Sequence, residues 1–306
     1  MQIYILFLCQ QNKIVLHKSG FVNIIGNPNV GKSTLSNAIL GERLSIITSK
    51  AQTTRHRILG IFNDENHQII FSDTPGVLKP AYAMQESMMK WVRSALEDAD
   101  ILLYLTEVGD KGLADENIEA KVKAMDVPLY LIINKIDTTT QEELEAHISH
   151  WKERMPRAEI RCISALLGHG VPELLDELKE KLPEGPAFFP KDSLTDKPER
   201  FFVSEIIREK ILMNYNKEVP YSVEIETESF KEDVDIIRIR AIIYVARESQ
   251  KGIIIGHKGS ALKRVGIQAR EDMESFFGKK IHLETFVKVA KEWRNSERQL
   301  KRFGYE

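Results

Sequence analysis

The sequence predicts an α/β domain on a mostly parallel, doubly wound sheet with one antiparallel edge strand, followed by a smaller α+β domain. Three observations carry this reading. From residue 21 to about 180, near-continuous apolar runs alternate with amphipathic stretches, the pattern of strands covered by helices on both faces. Residues 183–200 hold Pro183, Pro186, Pro190 and Pro198 without periodicity, the composition of a linker. After them the rhythm becomes helix, two alternating strands, two helices and a strand. The expected division is an N-terminal extension over 1–19, a first domain over 20–182, a linker over 183–200 and a second domain over 201–306.

The elements follow in order. The opening stretch MQIYILFLCQQNKIVLHK is far shorter in its apolar part than the roughly 20 residues that span a bilayer. It has neither a basic leader nor a small-residue cleavage site, so it reads as an extension before the first strand. Strands are expected at 21–26, 57–62, 68–73, 101–108, 127–134 and 159–165. Helical spacing marks 31–41, 83–99, 117–125, 142–155 and 170–182. The short polar connection NDENH between 57–62 and 68–73 predicts a hairpin, hence the antiparallel edge. In the second domain, helices are expected at 200–215 and 260–278 and strands at 221–230, 236–245 and 280–289. A short helix, a glycine loop and a final basic helix complete it.

Composition narrows the function. Hydrophobic content of 42% and charged content of 29% suit a soluble globular chain. The two cysteines, Cys9 and Cys162, show no paired or metal-binding spacing, which suits a reducing compartment. The net charge of −2 hides an asymmetry: residues 251–306 carry +6 and the rest −8. A basic end on an acidic chain points to a polyanionic partner there.

GNPNVGKST, residues 26–34, fits the G-x-x-x-x-G-K-[ST] phosphate loop between an expected strand and an expected helix. Its residues Gly26, Asn27, Pro28, Asn29, Val30, Gly31, Lys32, Ser33 and Thr34 are the expected phosphate contacts. Backbone N–H groups and the helix dipole face the anion, Lys32 bridges the β and γ phosphates, and Ser33 offers its hydroxyl to Mg²⁺. Asp73, Thr74, Pro75 and Gly76 end another strand. Asp73 is placed to hold Mg²⁺, and the Gly76 N–H to sense the γ-phosphate. Asn134, Lys135, Ile136 and Asp137 read the base: a carboxylate at Asp137 accepts two hydrogen bonds from guanine and none from adenine. Ser164 and Ala165 back the base through the main chain. In QTTR (52–55), Thr53 or Thr54 completes the metal shell, with Thr54 favoured by its later position. Lys32, Thr54 and Gly76 are thus the expected catalytic residues, and Ser33, Thr54 and Asp73 the metal ligands. Together these elements indicate a GTPase, which disfavours an ATP-using metabolic enzyme. Val77 follows Gly76 among the expected nucleotide contacts and stands where some GTPases carry a water-orienting glutamine, so intrinsic hydrolysis is expected to be slow and raised by a partner or a monovalent cation such as K⁺, with Asn29 either a potassium contact or a turn former.

The second loop, IIIGHKGSALKRV (253–265), lacks the spacing and companions of a nucleotide site. Gly256-His257-Lys258-Gly259 fits instead the G-x-x-G loop of a KH domain, which clamps about four nucleotides of single-stranded RNA. Lys263, Arg264 and Arg270 extend the basic track, and Ile253–Ile255, Leu262 and Val265 are the expected apolar floor.

The segments GNPNVGKSTL, KAQTTRHRILGI, DTPG, NKID, ISA, FVSEIIREKI, VPYSV, IIIGHKGSALKRVGIQAR and HLETFVKV resemble the Era family, bacterial Ras-like GTPases with a C-terminal KH domain. The resemblance runs from about Gly20 to the C-terminus. It implies a P-loop GTPase domain joined to a type II KH domain, with GTP/GDP and Mg²⁺ as ligands. It also implies the 3′ end of small-subunit rRNA and the small ribosomal subunit as partners in subunit maturation. The family implies a cytoplasmic location with peripheral association at the inner membrane, for which this sequence carries no amphipathic anchor; a monomer is expected. Two rivals stay open: a membrane-associated GTPase, and a GTP-gated RNA adaptor whose hydrolysis is incidental.

Overall fold

The computed structural model describes residues 16–305 apart from 49 and 51. Of the expected extension over 1–19, residues 1–15 lie outside the described residues, and Lys18 and Ser19 already belong to the first strand.

The first sheet has six strands: β1 (Lys18–Gly26), β2 (Ile58–Asn63), β3 (His67–Asp73), β4 (Ile101–Glu107), β5 (Leu129–Asn134) and β6 (Glu159–Cys162). Their order is β2-β3-β1-β4-β5-β6. Every pairing is parallel except β2 with β3, the antiparallel edge hairpin that the short NDENH connection allows. Helices α1 (Lys32–Leu40) and α5 (Val171–Lys181) cover one face. The other face is covered by α2 (Ala83–Glu97), α3 (Glu116–Ala124) and α4 (Gln141–Arg154). Alternate residues of one strand serve the two cores: Ile24 packs under α1 and Ile25 under α2. The α2 side is anchored by Trp151, fully buried and edge-on to Tyr104 at 5.1 Å, its indole N–H donating to His147 Nε2 at 2.9 Å. Because β1, β3, β4, β5 and β6 run parallel, their C-terminal ends share one rim of the sheet, the ordinary place for a ligand in a doubly wound fold.

The second domain runs α6 (Glu199–Asn214), β7 (Val223–Glu232), β8 (Ile236–Val245), α7 (Glu248–Ile255), α8 (Ser260–Phe277) and β9 (Lys280–Val289). β8 pairs antiparallel with β7 and parallel with β9. α6 and α8 pack on one face of this sheet through Val203, Ile207, Ile211, Val265, Ala269 and Met273.

Two sequence expectations change. The proline-rich 183–200 segment is not a free spacer. Gln68, fully buried, accepts from the N–H groups of Phe188 and Phe189 at 2.6 and 2.9 Å and donates to the Phe189 carbonyl at 2.9 Å. Ile61 N–H donates to Leu194 O at 2.8 Å. A segment poor in ladder donors is thus satisfied by a side chain instead. The expected final basic helix is only a 3-10 turn at Trp293–Asn295 and a six-residue α9 (Glu297–Arg302). Its apolar residues Trp293, Leu300 and Tyr305 are buried against the α2 side of the first domain, so the chain end joins the core of the domain it does not belong to in sequence.

Candidate nucleotide site and RNA groove

The phosphate loop leaves β1 and enters α1 at Gly31, which sits at φ 100°. A side chain there would meet Asn134 Nδ2 at 2.2 Å, so both the backbone twist and the close approach demand glycine. Asn134 fills that gap: its Nδ2 donates to Val30 O at 2.9 Å and its Oδ1 accepts from Ala165 N–H at 2.9 Å. One side chain therefore ties the phosphate loop, the NKID loop and the Ser164–Ala165 loop together. Gly76 stands against Pro28, where a Cβ would lie 2.7 Å from the proline backbone. Asn27 closes the other side, donating to Gly112 O at 2.9 Å and accepting from Ala114 N–H at 3.0 Å.

Lys32 is buried, its ammonium donating to Gly26 O at 3.1 Å and Asn27 O at 2.8 Å. Burial pushes it down to about 8, while the Asp73 and Asp110 carboxylates oppose that shift. A cation held out of water whose hydrogen bonds go to backbone carbonyls is stabilised by an arriving phosphate. Asp73 is fully buried and burial raises its pKa. Its Oδ2 accepts from Ser33 Oγ at 2.7 Å and lies 3.5 Å from Thr54 Oγ1, and the two hydroxyls are 2.9 Å apart. Asp73 Oδ1 has no hydrogen-bond partner. A hard oxygen cluster with one orphaned carboxylate oxygen fits Mg²⁺, whose ligands are carboxylates, hydroxyls, waters and phosphates. The Thr53 hydroxyl is directed elsewhere, to Lys50 O at 2.6 Å and Thr48 Oγ1 at 3.0 Å. Ile46, Ile47, Thr48, Gln52, Thr53 and Thr54 lie over the phosphate loop.

At the base end, Asp137 Oδ1 accepts from Ser164 Oγ at 2.5 Å. Lys135 adopts φ 63° and pairs with Glu107 Oε2 at 2.5 Å. Ile136 N–H donates to Ile163 O at 3.3 Å. Thr74 spends its hydroxyl on Ile24 O at 2.7 Å, and Pro75 carries the turn between it and Gly76. Thr34 lies in the first turn of α1 and Asn29 takes φ 67°. Val77 departs from its expected place among the nucleotide contacts. Its side chain is fully buried on the α2 side and its N–H donates to Gly26 O at 3.0 Å, so neither faces a ligand.

In the second loop, Gly256 (φ 72°) and Gly259 (φ 80°) flank His257 and Lys258, and Lys258 is left-handed at φ 49°. A Cβ on Gly256 would meet Ala261 Cβ at 2.6 Å, whereas around Gly259 nothing lies within 4 Å. α8 starts directly after Gly259. Beside it runs a groove of about 370 Å³ lined by Gly259, Leu262, Lys263, Gly266, Ile267, Arg270, Leu283 and Thr285. Lys263 and Arg270 share that groove; Arg264 is exposed but outside it. The expected floor is partly wrong: Ile254 and Val265 are fully buried in the domain core. Leu283 and Thr285 on β9 were missed, because nothing in sequence says which strand edge faces a helix. Ile267 was legible: with Lys263 and Arg270 it follows the helical three-to-four spacing of one face.

A family model described as 50S ribosome-binding GTPase matches residues 21–135, and a KH domain model matches residues 218–294. The chain is 49% identical over 294 residues to GTPase Era from Syntrophus aciditrophicus, covering 95% of this chain and 96% of that one. It is similar, with a TM-score of 0.90 and 39% identity, to Era crystallised with MgGDPNP and nucleotides 1506–1542 of 16S ribosomal RNA; 94% of this chain and 99% of that one are covered. A variant of Aquifex aeolicus Era bound to GDP and AlF4⁻ aligns with a TM-score of 0.89 at 39% identity over the same shares. Among the described residues, no helix is long and apolar enough to cross a membrane.

Proposed function

The chain belongs to the Era family of GTPases, and from that premise we propose that it is a GTP-hydrolysing switch that binds the 3′ end of 16S rRNA and assists small-subunit assembly. The observation that carries the nucleotide half is the buried Ser33–Thr54–Asp73 oxygen cluster with its orphaned Asp73 Oδ1, set beside Lys32. The RNA half rests on the G-x-x-G loop opening onto a basic groove in the same chain.

Within this reading the phosphate loop from Gly26 to Thr34 wraps the phosphates, and Lys32 neutralises the charge that builds on the β–γ bridge. Gly76 presents its N–H to the γ-phosphate. Ser33, Thr54 and Asp73 hold Mg²⁺, which when bound neutralises phosphate oxygens. Asp137 accepts from the guanine edge, held in place by Ser164, while Asn134 keeps the base and phosphate ends in register. Val77 offers no polar group to the attacking water, so unassisted turnover is slow. We assign Asn29 as a contact for K⁺, which would supply part of the missing charge stabilisation; faster turnover in K⁺ than in Na⁺ supports that role and equal rates remove it. Gly256, His257, Lys258 and Gly259 approach the RNA backbone, and Lys263 and Arg264 neutralise flanking phosphates. A monomeric state and peripheral contact with the inner membrane complete the proposal, checked by sedimentation and by flotation with anionic vesicles.

The test of the nucleotide reading is base preference. Asp137→Asn should exchange preference from guanine to xanthine nucleotides, because the xanthine oxygen needs a donor. An unchanged GTP affinity in that variant would overturn the assignment.

A further inference from the structure

Among the described residues of the loop that supplies Thr54, between α1 and β2, none is in a helix or strand, so no ladder of its own holds them. Besides bonds to Asn37 and within itself, the loop is held by the second domain. Arg208, on α6, is 1% exposed and donates through Nη2 to the Thr53 carbonyl at 2.5 Å. The same guanidinium donates to Glu205 through Nε and Nη2, which fixes its plane. On the other side of Thr54, the Arg55 side chain is fully buried against the second domain. Its Nη1 donates to Val223 O at 2.7 Å and to Glu224 Oε2 at 3.1 Å. The residues before and after Thr54 are therefore both anchored across the domain interface, and Thr54 between them has its hydroxyl directed to Ser33 and Asp73.

We propose that Arg208 is a positioning residue for GTP hydrolysis, contributed by the RNA-binding domain. It holds the Thr53 carbonyl so that the neighbouring Thr54 hydroxyl is presented to the metal side of the nucleotide site. The inference rests on the Mg²⁺–GTP reading of that site and goes beyond it. A loop with two buried anchors reaches its binding geometry without first being ordered, and the order is conditional on where the second domain sits. Arg55 anchors only the chain after Thr54. Before it, the Thr53 hydroxyl is bonded within the loop to Lys50 O and Thr48 Oγ1, and Lys50 Nζ reaches Leu212 O and Tyr215 O of the second domain, so Arg208 adds the tie on the Thr53 carbonyl itself.

The test separates positioning from mere stability. Arg208→Met strands the Glu205 carboxylate in a buried place, so it is compared with the double variant Arg208→Met, Glu205→Gln, which removes the stranded charge. Two readouts are used: the Mg²⁺ concentration for half-maximal binding of a non-hydrolysable GTP analogue, and amide hydrogen exchange of residues 52–56 with the analogue bound. In the folded double variant the Mg²⁺ requirement should rise about tenfold, the order of one lost hydrogen bond to a charged group, with faster exchange at Thr54. Arg208→Lys, which keeps a donor, should recover part of the loss. GDP affinity without Mg²⁺ should match the parent in every variant. A double variant with the parent's melting temperature, Mg²⁺ requirement and exchange pattern would reduce Arg208 to a structural ion pair. Failure of the parent itself to bind GDP would overturn the nucleotide reading instead.

Discussion

Two glycine loops in this chain are assigned to phosphate groups, and they are built in opposite ways. The first is walled in. A Cβ at Gly31 would strike Asn134 at 2.2 Å and one at Gly76 would strike Pro28 at 2.7 Å, and Lys32 is buried behind them. The second is open on its far side: His257 and Lys258 are exposed and nothing lies within 4 Å of a Cβ on Gly259, though Gly256 stands against Ala261. Enclosure excludes water, strengthens each charge–phosphate contact and admits one ligand shape. Openness admits a strand that passes through, recognised by its backbone charge and unstacked bases. The same residue thus serves a site that must select one small molecule and a site that must follow a polymer. What differs is the companions: the first loop has Asp73, Thr54 and Asn134 converging on it, the second has a basic helix face and a strand edge.

The largest effect that would sharpen this contrast is at Lys32. Lys32→Ala should lower kcat for GTP by on the order of a thousandfold, the scale of removing a charge aimed at the transition state. Its RNA affinity without nucleotide should stay at the parent value in a gel-shift titration. Next comes Asp137→Asn, with GTP affinity reduced about a hundredfold or more because a buried polar site is left mismatched. Competition between GTP and XTP reads it.

Glycine replacement compares the loops directly. Gly31→Ala collides with Asn134 and should abolish nucleotide binding, measured by calorimetry. Gly259→Ala meets no atom and carries only the left-handed backbone strain of about 1–2 kcal/mol, so thermal melting should fall slightly and RNA binding weaken without disappearing. A tolerated Gly31→Ala would break the comparison. Lys263→Ala is milder again: RNA affinity should drop uniformly across sequences, with the salt slope reduced by roughly 0.7, the value of one phosphate contact on a single strand. The smallest expected effect is protonic. Because burial holds Lys32 at about 8, binding GDP at pH 8 should take up protons, with calorimetric heats that depend on the buffer's ionisation enthalpy. The sign follows from the phosphate raising the lysine pKa above its value in the free protein.

How much of this was legible in the sequence depends on whether the information was local. The phosphate loop, DTPG, NKID and the G-x-x-G loop each join a strand or helix to a turn, and spacing alone carries their chemistry. The antiparallel edge was legible from one short polar connection. Thr54 could be preferred over Thr53 only by position, since which hydroxyl faces Asp73 is decided by folding around Thr48 and Lys50. Val77 reads as a loop residue beside the nucleotide, yet its side chain belongs to the α2 core. Ile254 and Val265 look like a groove floor because apolar residues near a binding loop can face either way. The seated linker and the burial of Trp293 and Tyr305 against the first domain depend on partners more than a hundred residues away. Arg208 and Glu205 look like a solvent-facing helix pair at i, i+3; only the docked domains reveal that both are buried and that Arg208 reaches Thr53.

The central claim is that the enclosed loop and the open loop work as one switch. The direct measurement is binding of a short single-stranded RNA matching the 16S 3′ end, at fixed salt, with a non-hydrolysable GTP analogue and with GDP, to the parent and to a Gly256→Asp, Gly259→Asp variant. The account predicts tight binding in the GTP-analogue state, weaker binding with GDP, and loss of binding in the double variant while its nucleotide affinity is retained. Equal RNA affinity with the analogue and with GDP would contradict it, leaving two competent loops with no linkage between them.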